Sequence, residues 1–161
     1  MEIEKKQRDF RTLSKVVPKT NLKTLFMVST NVWRSVDALD YDKVEVEIDV
    51  RGQLVEDHQD HFLAKAIFSF KGQPEGEEEK EEIVRLYSEY VLVYSLKNRG
   101  KLTSADLETF CEMNAVYNAW PYWREFVQTT LNRMELPTFT LPLLKFTQRR
   151  NKEAKGEREK S

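Results

Sequence analysis

A helix with a wide aromatic face near the carboxyl end constrains the fold of this chain more than any other feature. Pro121 suits the first turn of a helix, because its missing N–H costs nothing there and its φ is already helical. The residues after it recur at helical spacing and form one broad apolar face: Trp123, Phe126, Val127, Thr130, Leu131 and Met134. Pro137 and Pro142 then end the helix and favour an extended segment. Such a helix needs another surface to cover its aromatic face.

Four segments upstream of this helix have the patterns of β-strands. Residues 22–32 are too apolar for a loop, and residues 44–50 alternate between β-branched and acidic side chains with period two. Residues 62–70 place three phenylalanines on one side of a third strand. Residues 83–96 are rich in Tyr, Val and Leu and are apolar on both faces near residues 90–94, which predicts a strand that is buried on both sides.

A further helix is predicted between the last strand and Pro121. Thr103 or Ser104 caps it, and Asp106 stands three residues after Thr103. Its apolar face consists of Leu107, Phe110, Cys111 and Ala115. Because strands and helices are segregated along the chain, the sequence predicts an α+β fold, with a four-stranded antiparallel sheet followed by two helices packed on one face.

The chain has 161 residues, which fits one domain with a single core. Residues 1–20 form an amino-terminal extension, for which a short amphipathic helix before Pro18 and disorder are both open. Residues 21–146 hold the predicted strands and helices. Residues 147–161 alternate basic and acidic side chains and are predicted to be a disordered tail.

The composition excludes several classes of protein. The net charge of −1 and the pI near 6.2 give no basic field that would attract nucleic acid. The single cysteine excludes an intramolecular disulfide framework and favours a reducing compartment. The charged amino terminus does not resemble a signal peptide, and no apolar run approaches the roughly 18 residues of a membrane span. We therefore expect a soluble, cytoplasmic protein without direct membrane insertion.

No group of residues in the sequence indicates catalysis. His58 and His61 stand near acidic residues, but a zinc site needs further ligands, so we predict a hydrated loop and no metal. Cys111 lies on the apolar face of a predicted helix and is expected to be a buried thiol. Residues 75–82, which are mostly acidic, are expected to form a solvated loop. Nucleophile-elbow, phosphate-loop and dinucleotide motifs are absent from the sequence, which predicts no enzyme and no cofactor.

The connection between the first two strands carries more apolar residues than a surface loop usually does. These residues are Trp33, Val36, Leu39 and Tyr41. They either fold back on the core or form the edge of a binding site. Large aromatic side chains such as Trp33 and Trp120 are typical anchors for partner surfaces.

The carboxyl-terminal third of the chain resembles the signature of the SecB family of export chaperones. In that family an aromatic-Pro-Tyr-x-Arg-Glu run opens a long helix, an arginine stands near its end, and a Pro-x-Leu-x-Leu-like segment follows. The matching residues here are Trp120, Pro121, Tyr122, Arg124, Glu125, Arg133, Pro137 and Leu141, with Phe139 in the first leucine position and Phe146 beyond. The match covers residues 120–146 without a gap. Upstream it is looser, although the order of four strands agrees.

The resemblance implies an ATP-independent chaperone that holds unfolded or partly folded polypeptides in apolar grooves, for export through the Sec pathway. It also implies a cofactor-free, cytoplasmic homotetramer, built as a dimer of dimers from SecB-like domains that here span residues 21–146. By position, the residues expected near the client groove are Trp33, Val36, Leu39, Tyr41, Val44, Val46, Leu86, Tyr90 and Trp120.

Two alternatives stand beside protein export. Family members that serve the Sec pathway dock the translocase motor ATPase through acidic residues on the sheet, whereas Arg85 and Tyr87 occupy the relevant strand here. A SecB-like chaperone dedicated to the antitoxin of a toxin–antitoxin system is therefore an alternative. From a different class, an α+β module that binds a small apolar ligand or one fixed protein partner also fits the aromatic content.

Overall fold

The computed structural model describes residues 1–41, 43–76 and 81–148. The strands and helices in chain order are β1 Glu2–Lys5, α1 Gln7–Val16, β2 Thr20–Arg34, β3 Val44–Asp57, β4 His61–Pro74, β5 Val84–Leu96, α2 Ser104–Phe110, α3 Val116–Arg133 and β6 Lys145–Gln148. Short 3₁₀ turns cover Val17–Lys19 and Val36–Leu39, and a π-helical turn covers Cys111–Ala115.

The predicted α+β fold is confirmed. Four strands form one sheet in the order β2-β5-β4-β3, and every neighbouring pair is antiparallel. Helices α2 and α3 follow the sheet and pack against one of its faces. Thr103 begins α2 as predicted, because its hydroxyl accepts a hydrogen bond from the Asp106 N–H while the Asp106 carboxylate accepts from the Thr103 N–H.

The core lies between the helices and one face of the sheet, which we call the covered face. Phe68 on β4 stacks on Trp123 of α3 with ring centroids 5.4 Å apart, and Phe62 meets Phe110 of α2 edge to face. Alternate residues of β4 and β5 are buried on this side. The aromatic face of the long helix is therefore covered by the sheet of its own chain.

The opposite, open face of the sheet has no helix over it in the part of the chain that the structure describes. Residues of β5 alternate between buried side chains on the covered face and half-buried ones, such as Val91 and Val93, on the open face. The prediction that this strand is buried on both sides is wrong for the chain as described. Both faces are apolar in sequence, but the helices cover only one.

Pro121 lies inside α3 and not in the first turn of a helix, where the sequence predicted it. A proline in a helix interior removes one N–H and leaves the carbonyl four residues earlier, on Tyr117, without its usual donor. Pro121 and Tyr117 are both exposed, so water reaches this carbonyl. The helix also continues upstream because the π-helical turn Cys111–Ala115 joins α2 to α3.

The π-helical turn rests directly on β3 at Gly52. A Cβ atom built on Gly52 would lie 2.1 Å from the carbonyl oxygen of Cys111. Strand β3 continues through Gly52 and shifts register only between Leu54 and Glu56. Cys111 is buried, as predicted, and burial raises the pKa of its thiol.

The two ends of the described chain meet. Strand β1 pairs in parallel with β6, and Ile3 is the partner of Phe146. The predicted disordered tail was placed from residue 147 onward, but Thr147 belongs to β6. The rest of that predicted tail, residues 149–161, lies outside the described residues. Among the described helices, none is long and apolar enough to span a membrane.

Candidate functional site

The connection from β2 to β3 holds an apolar, hydrogen-bonded turn with exposed side chains. The Ser35 N–H donates to the Ile83 carbonyl at 2.8 Å, and the Ser35 hydroxyl caps the 3₁₀ turn by accepting from the Asp37 N–H. Ala38 is buried beneath the turn, whereas Val36 is 89% exposed and Leu39 is 54% exposed. We call residues 36–41 the crossover lip. Two large apolar side chains are thus held in solvent by an ordered backbone.

Arg34 ties the crossover lip to the end of α3. Its guanidinium donates to the carbonyl of Met134, directly after the last residue of the helix, and to the Ser35 carbonyl at 3.0 Å. A cation at a helix carboxyl terminus satisfies free carbonyls and interacts favourably with the helix dipole. The position of the lip relative to the helix therefore depends on Arg34, a residue that sequence analysis did not single out.

The strand register separates Trp33 from the rest of the predicted groove. Val32 pairs with Leu86, whose side chain is buried on the covered face, so Trp33 and its partner Arg85 point to the open face. Val46 pairs with Gly72 on the covered face. Trp33 instead borders a surface cavity of about 530 Å³ that is also lined by Asn31, Val32, Glu81, Glu82 and Arg85.

Three residues expected in the client groove belong to the core. Leu86, Tyr90 and Trp120 are almost completely buried, because α3 covers this part of the sheet. Burial, followed by the nearby Glu125 carboxylate, raises the pKa of Tyr90 to about 12, so its phenol stays neutral. The side chains of these three residues are therefore hardly accessible from solvent in the chain as described. Tyr41 and Val46 are half-buried, and Val44 is exposed.

Two residues of the signature hold the extended segment after α3, which we call the strap and define as residues 136–144. The Trp120 indole N–H donates to the Pro142 carbonyl at 3.0 Å, and the Arg124 Nε–H donates to the Leu141 carbonyl at 2.7 Å. Leu141 is itself buried. The remaining signature side chains are exposed: Pro121, Tyr122, Glu125, Arg133 and Pro137.

Strand β2 forms one edge of the sheet and exposes apolar side chains on both faces. The exposed residues are Leu22, Phe26, Met27, Val28, Val32 and Trp33. Sequence analysis predicted the strand but not its exposure, because a buried strand and an edge strand can have the same apolar sequence pattern. A long, apolar edge with unpaired backbone groups is a template for pairing with another chain.

Two acidic side chains, one on the open face of β5 and one just before this strand, are paired with basic neighbours. Glu89 accepts from Lys65 at 2.8 Å and from the Tyr87 hydroxyl, and the Lys65 hydrogen bond is the main cause of the lowered pKa of Glu89. The same contact with Glu89 raises the pKa of Tyr87 to about 12. Glu82 forms an ion pair with Arg85.

The two histidines lie at the turn between β3 and β4, with His58 in the loop and His61 as the first residue of β4. The rings of His58 and His61 stack with centroids 4.4 Å apart, and each ring bonds a neighbouring carboxylate, of Glu56 and Asp60 respectively. Within the described ranges no group of histidine, cysteine and acidic side chains is arranged to hold a metal ion.

Comparison with known proteins identifies the fold. No protein-family model and no curated protein matches the sequence. Among solved structures, the chain is similar to the Mycobacterium tuberculosis SecB-like chaperone Rv1957 in complex with a ChAD peptide from the Rv1956 HigA1 antitoxin, with a TM-score of 0.72 and 14% sequence identity over 85% of this chain and 99% of that chain. The chain has the SecB-like fold. A Streptococcus agalactiae protein of unknown function matches with a TM-score of 0.45 and 10% identity over 78% of this chain and 98% of that chain.

The SecB-like fold accounts for the order of four strands, crossover, helices and strap. It agrees with the resemblance carried by the residues from Trp120 to Phe146. The crossover lip and the edge strand β2 are two of the apolar surfaces that stay exposed in the described chain.

Proposed function

We propose that the protein is an ATP-independent holdase that binds unfolded or partly folded polypeptides. The observation that carries the proposal is the exposure of Val36 and Leu39 on an ordered turn, beside a core that is otherwise well covered. Exposed apolar patches of this kind mark sites of protein binding. An extended client would gain about 25 cal/mol per Å² of apolar surface buried there.

The client groove that we propose runs from the crossover lip along the start of β3. It includes Val36, Leu39 and Tyr41 on the lip, and Val44 and Val46 on the strand. Trp33 would act as a separate contact on the open face, because the register directs it away from Val46. Several weak contacts on one extended chain add up to a useful affinity through avidity.

Assembly through β2 explains the second apolar surface. We propose that β2 pairs with β2 of a second copy, and that two such dimers form a homotetramer. The strand is 15 residues long and forms a sheet edge, so pairing would satisfy its free backbone groups and cover apolar side chains such as Met27 and Val32. Size-exclusion chromatography with light scattering should give about four times 19.1 kDa. Met27→Lys with Val32→Lys should give a smaller species.

As client, we propose a dedicated aggregation-prone partner such as an antitoxin, in preference to preproteins of the Sec pathway. The resemblance implies that the translocase motor docks on acidic residues of the sheet, but Arg85 and Tyr87 occupy the relevant strand here, and Glu89 on that strand is paired with Lys65. The similar Mycobacterium tuberculosis chaperone holds an antitoxin peptide. Purified translocase motor should not co-elute with this protein. A stoichiometric complex with the motor would contradict the choice of an antitoxin as client, but it would not contradict the holdase proposal.

The holdase proposal is tested by combining Val36→Ser with Leu39→Ser. Each side chain is at least half exposed, so its loss should remove about 1 kcal/mol of client affinity, and the pair should weaken binding at least tenfold. Client affinity is measured with a labelled, permanently unfolded polypeptide, and activity is measured as suppression of aggregation of an unrelated unfolded protein.

Val55→Ser is the matched control, because Val55 is also an exposed valine but lies at the register shift of β3, outside the proposed groove. The control should bind clients like the parent protein. Unchanged binding by the double variant, with its assembly intact, would refute the groove. A parent protein that is monomeric and inert toward unfolded chains would refute the holdase and would favour a ligand-binding module.

A further inference from the structure

The amino-terminal arm, residues 1–16, places an extended strand on the chain's own carboxyl-terminal segment. Strand β1 pairs in parallel with β6, with Glu2 opposite Lys145 and Glu4 opposite Thr147. The Lys145 N–H also donates to the Met1 carbonyl at 2.9 Å. This contact joins residues that are far apart in sequence, and it continues the strap into a short two-stranded sheet.

The side chains of β1 alternate in the way expected for any chain that lies in an apolar groove. Met1 and Ile3 are half-buried and pack against the core cluster, whereas Glu2 and Glu4 are exposed. Recognition therefore depends on backbone hydrogen bonds and on apolar side chains at every second position. Main-chain pairing of this kind accepts many sequences, as in other cases of strand addition to a sheet edge.

The strand β1 is held much less firmly than the helix that follows it. Its ladder covers four residue pairs, the Met1 ammonium donates to the Leu143 carbonyl at 3.0 Å, and the ion pair between Lys5 and Glu112 at 3.2 Å lies at the surface. In contrast, α1 ends at Val16, which is completely buried. Strand β1 can therefore leave β6 while α1 stays docked and keeps the strand close by, at a high effective concentration.

We propose that the groove beside β6 is a second client site, which β1 occupies as an internal competitor. The occupant is an extended client segment with apolar side chains at alternate positions, which pairs with residues 145–147 when β1 leaves. This inference rests on the proposed holdase function. It adds a site at the end of the strap, where the segment that packs on α3 continues directly into β6.

The test locks β1 in place with a reversible crosslink. Glu4→Cys and Thr147→Cys introduce two cysteines at partner positions of the β1–β6 ladder, where neighbouring strands are close enough for a disulfide. The native Cys111 is buried and does not compete for oxidation. Affinity for fluorescently labelled, reduced and carboxymethylated α-lactalbumin is measured for the oxidised and the reduced protein by anisotropy.

The oxidised protein should bind this unfolded probe at least threefold more weakly, and reduction should restore the affinity of the parent protein. Ile3→Ser, which weakens β1 without a lock, should raise the affinity. The matched control Val17→Ser, an exposed apolar residue just beyond the arm, should leave it unchanged.

The outcomes separate this inference from the proposed function. Equal binding by the oxidised and reduced forms, with the disulfide verified by mass, would overturn the second site and leave the holdase intact. Failure of the parent protein to bind the probe or to suppress aggregation would overturn the holdase and this site together.

Discussion

The contact between Gly52 and the π-helical turn gives the sharpest prediction about stability. In Gly52→Ala the new Cβ would lie 2.1 Å from the carbonyl oxygen of Cys111 and 2.9 Å from its carbonyl carbon. Contacts below 3.0 Å are essentially never seen for Cβ, so β3 and the turn must separate by about 1 Å. Both atoms belong to the backbone, so no side-chain rotation relieves the clash.

The expected loss is about 3 kcal/mol of the free energy of unfolding. Overpacking costs about 1–3 kcal/mol. Separation also strains the hydrogen bond in which the Glu108 carboxylate accepts from the Leu54 N–H at 2.9 Å, and bonds of this charged type contribute about 1.5–3 kcal/mol. Alanine also lowers the conformational entropy of the unfolded chain, which offsets only about 0.4–1 kcal/mol of this loss. For a chain of 161 residues this loss lowers Tm by about 6–12 °C.

Differential scanning calorimetry at equal protein concentrations measures this effect, with Gly76→Ala as the control. Gly76 has φ of +85°, and no atom of the described residues lies within 4 Å of a built Cβ, so the expected cost of alanine is the left-handed backbone strain of about 1 kcal/mol. Gly52→Ala should therefore lose clearly more stability than Gly76→Ala. If both variants unfold at the same temperature, the close approach of strand and turn does not control stability at Gly52.

Two further predictions concern single contacts. The pKa of Asp57 is lowered, mainly because Arg99 donates a hydrogen bond to its carboxylate. The contribution of this carboxylate to the free energy of unfolding is therefore present above about pH 4 and is lost as the pH falls through the folded pKa. Asp57→Asn should cost about 2 kcal/mol at pH 7, and denaturant unfolding should show a shallower loss of stability below pH 4 than in the parent protein; equal acid slopes would contradict this. Trp120→Phe should destabilise the protein by about 1 kcal/mol more than Trp123→Phe, because Trp120 donates to Pro142 whereas the buried Trp123 Nε1 has no hydrogen-bond partner among the described residues. Chemical denaturation of the two variants checks this difference, and the reverse order would contradict it.

Local patterns in the sequence predicted most of the sheet and helices but not the contacts between distant segments. Alternation over residues 44–50 and the Thr103 cap are local signals, and both elements are present. The pairing of β1 with β6 joins two four-residue strands from opposite ends of the described chain. No local pattern predicts such a contact, because strands this short show little periodicity. Their pairing depends on how the sheet and the helices between them in sequence pack together.

The position of the residues in the proposed client groove was the least predictable part, because it depends on the strand register. Trp33 and Val46 flank the same connection in sequence, yet the pairing of Val32 with Leu86 sends Trp33 to the open face. A shift of one residue in this register would reverse the result. Tyr90 and Trp120 were expected near the groove by their position in the SecB-like pattern, but the helices bury both.

The signature that indicates the SecB-like fold is explained by contacts with backbone atoms. Trp120 and Arg124 donate to the carbonyls of Pro142 and Leu141, so the helix motif and the strap motif depend on each other. A donor side chain restricts its own position to few residue types, whereas a carbonyl acceptor places no restriction on the residue that carries it. Binding of extended clients needs only exposed apolar surface, which many residues supply. The fold therefore has a recognisable motif, and the proposed client site on the crossover lip has none.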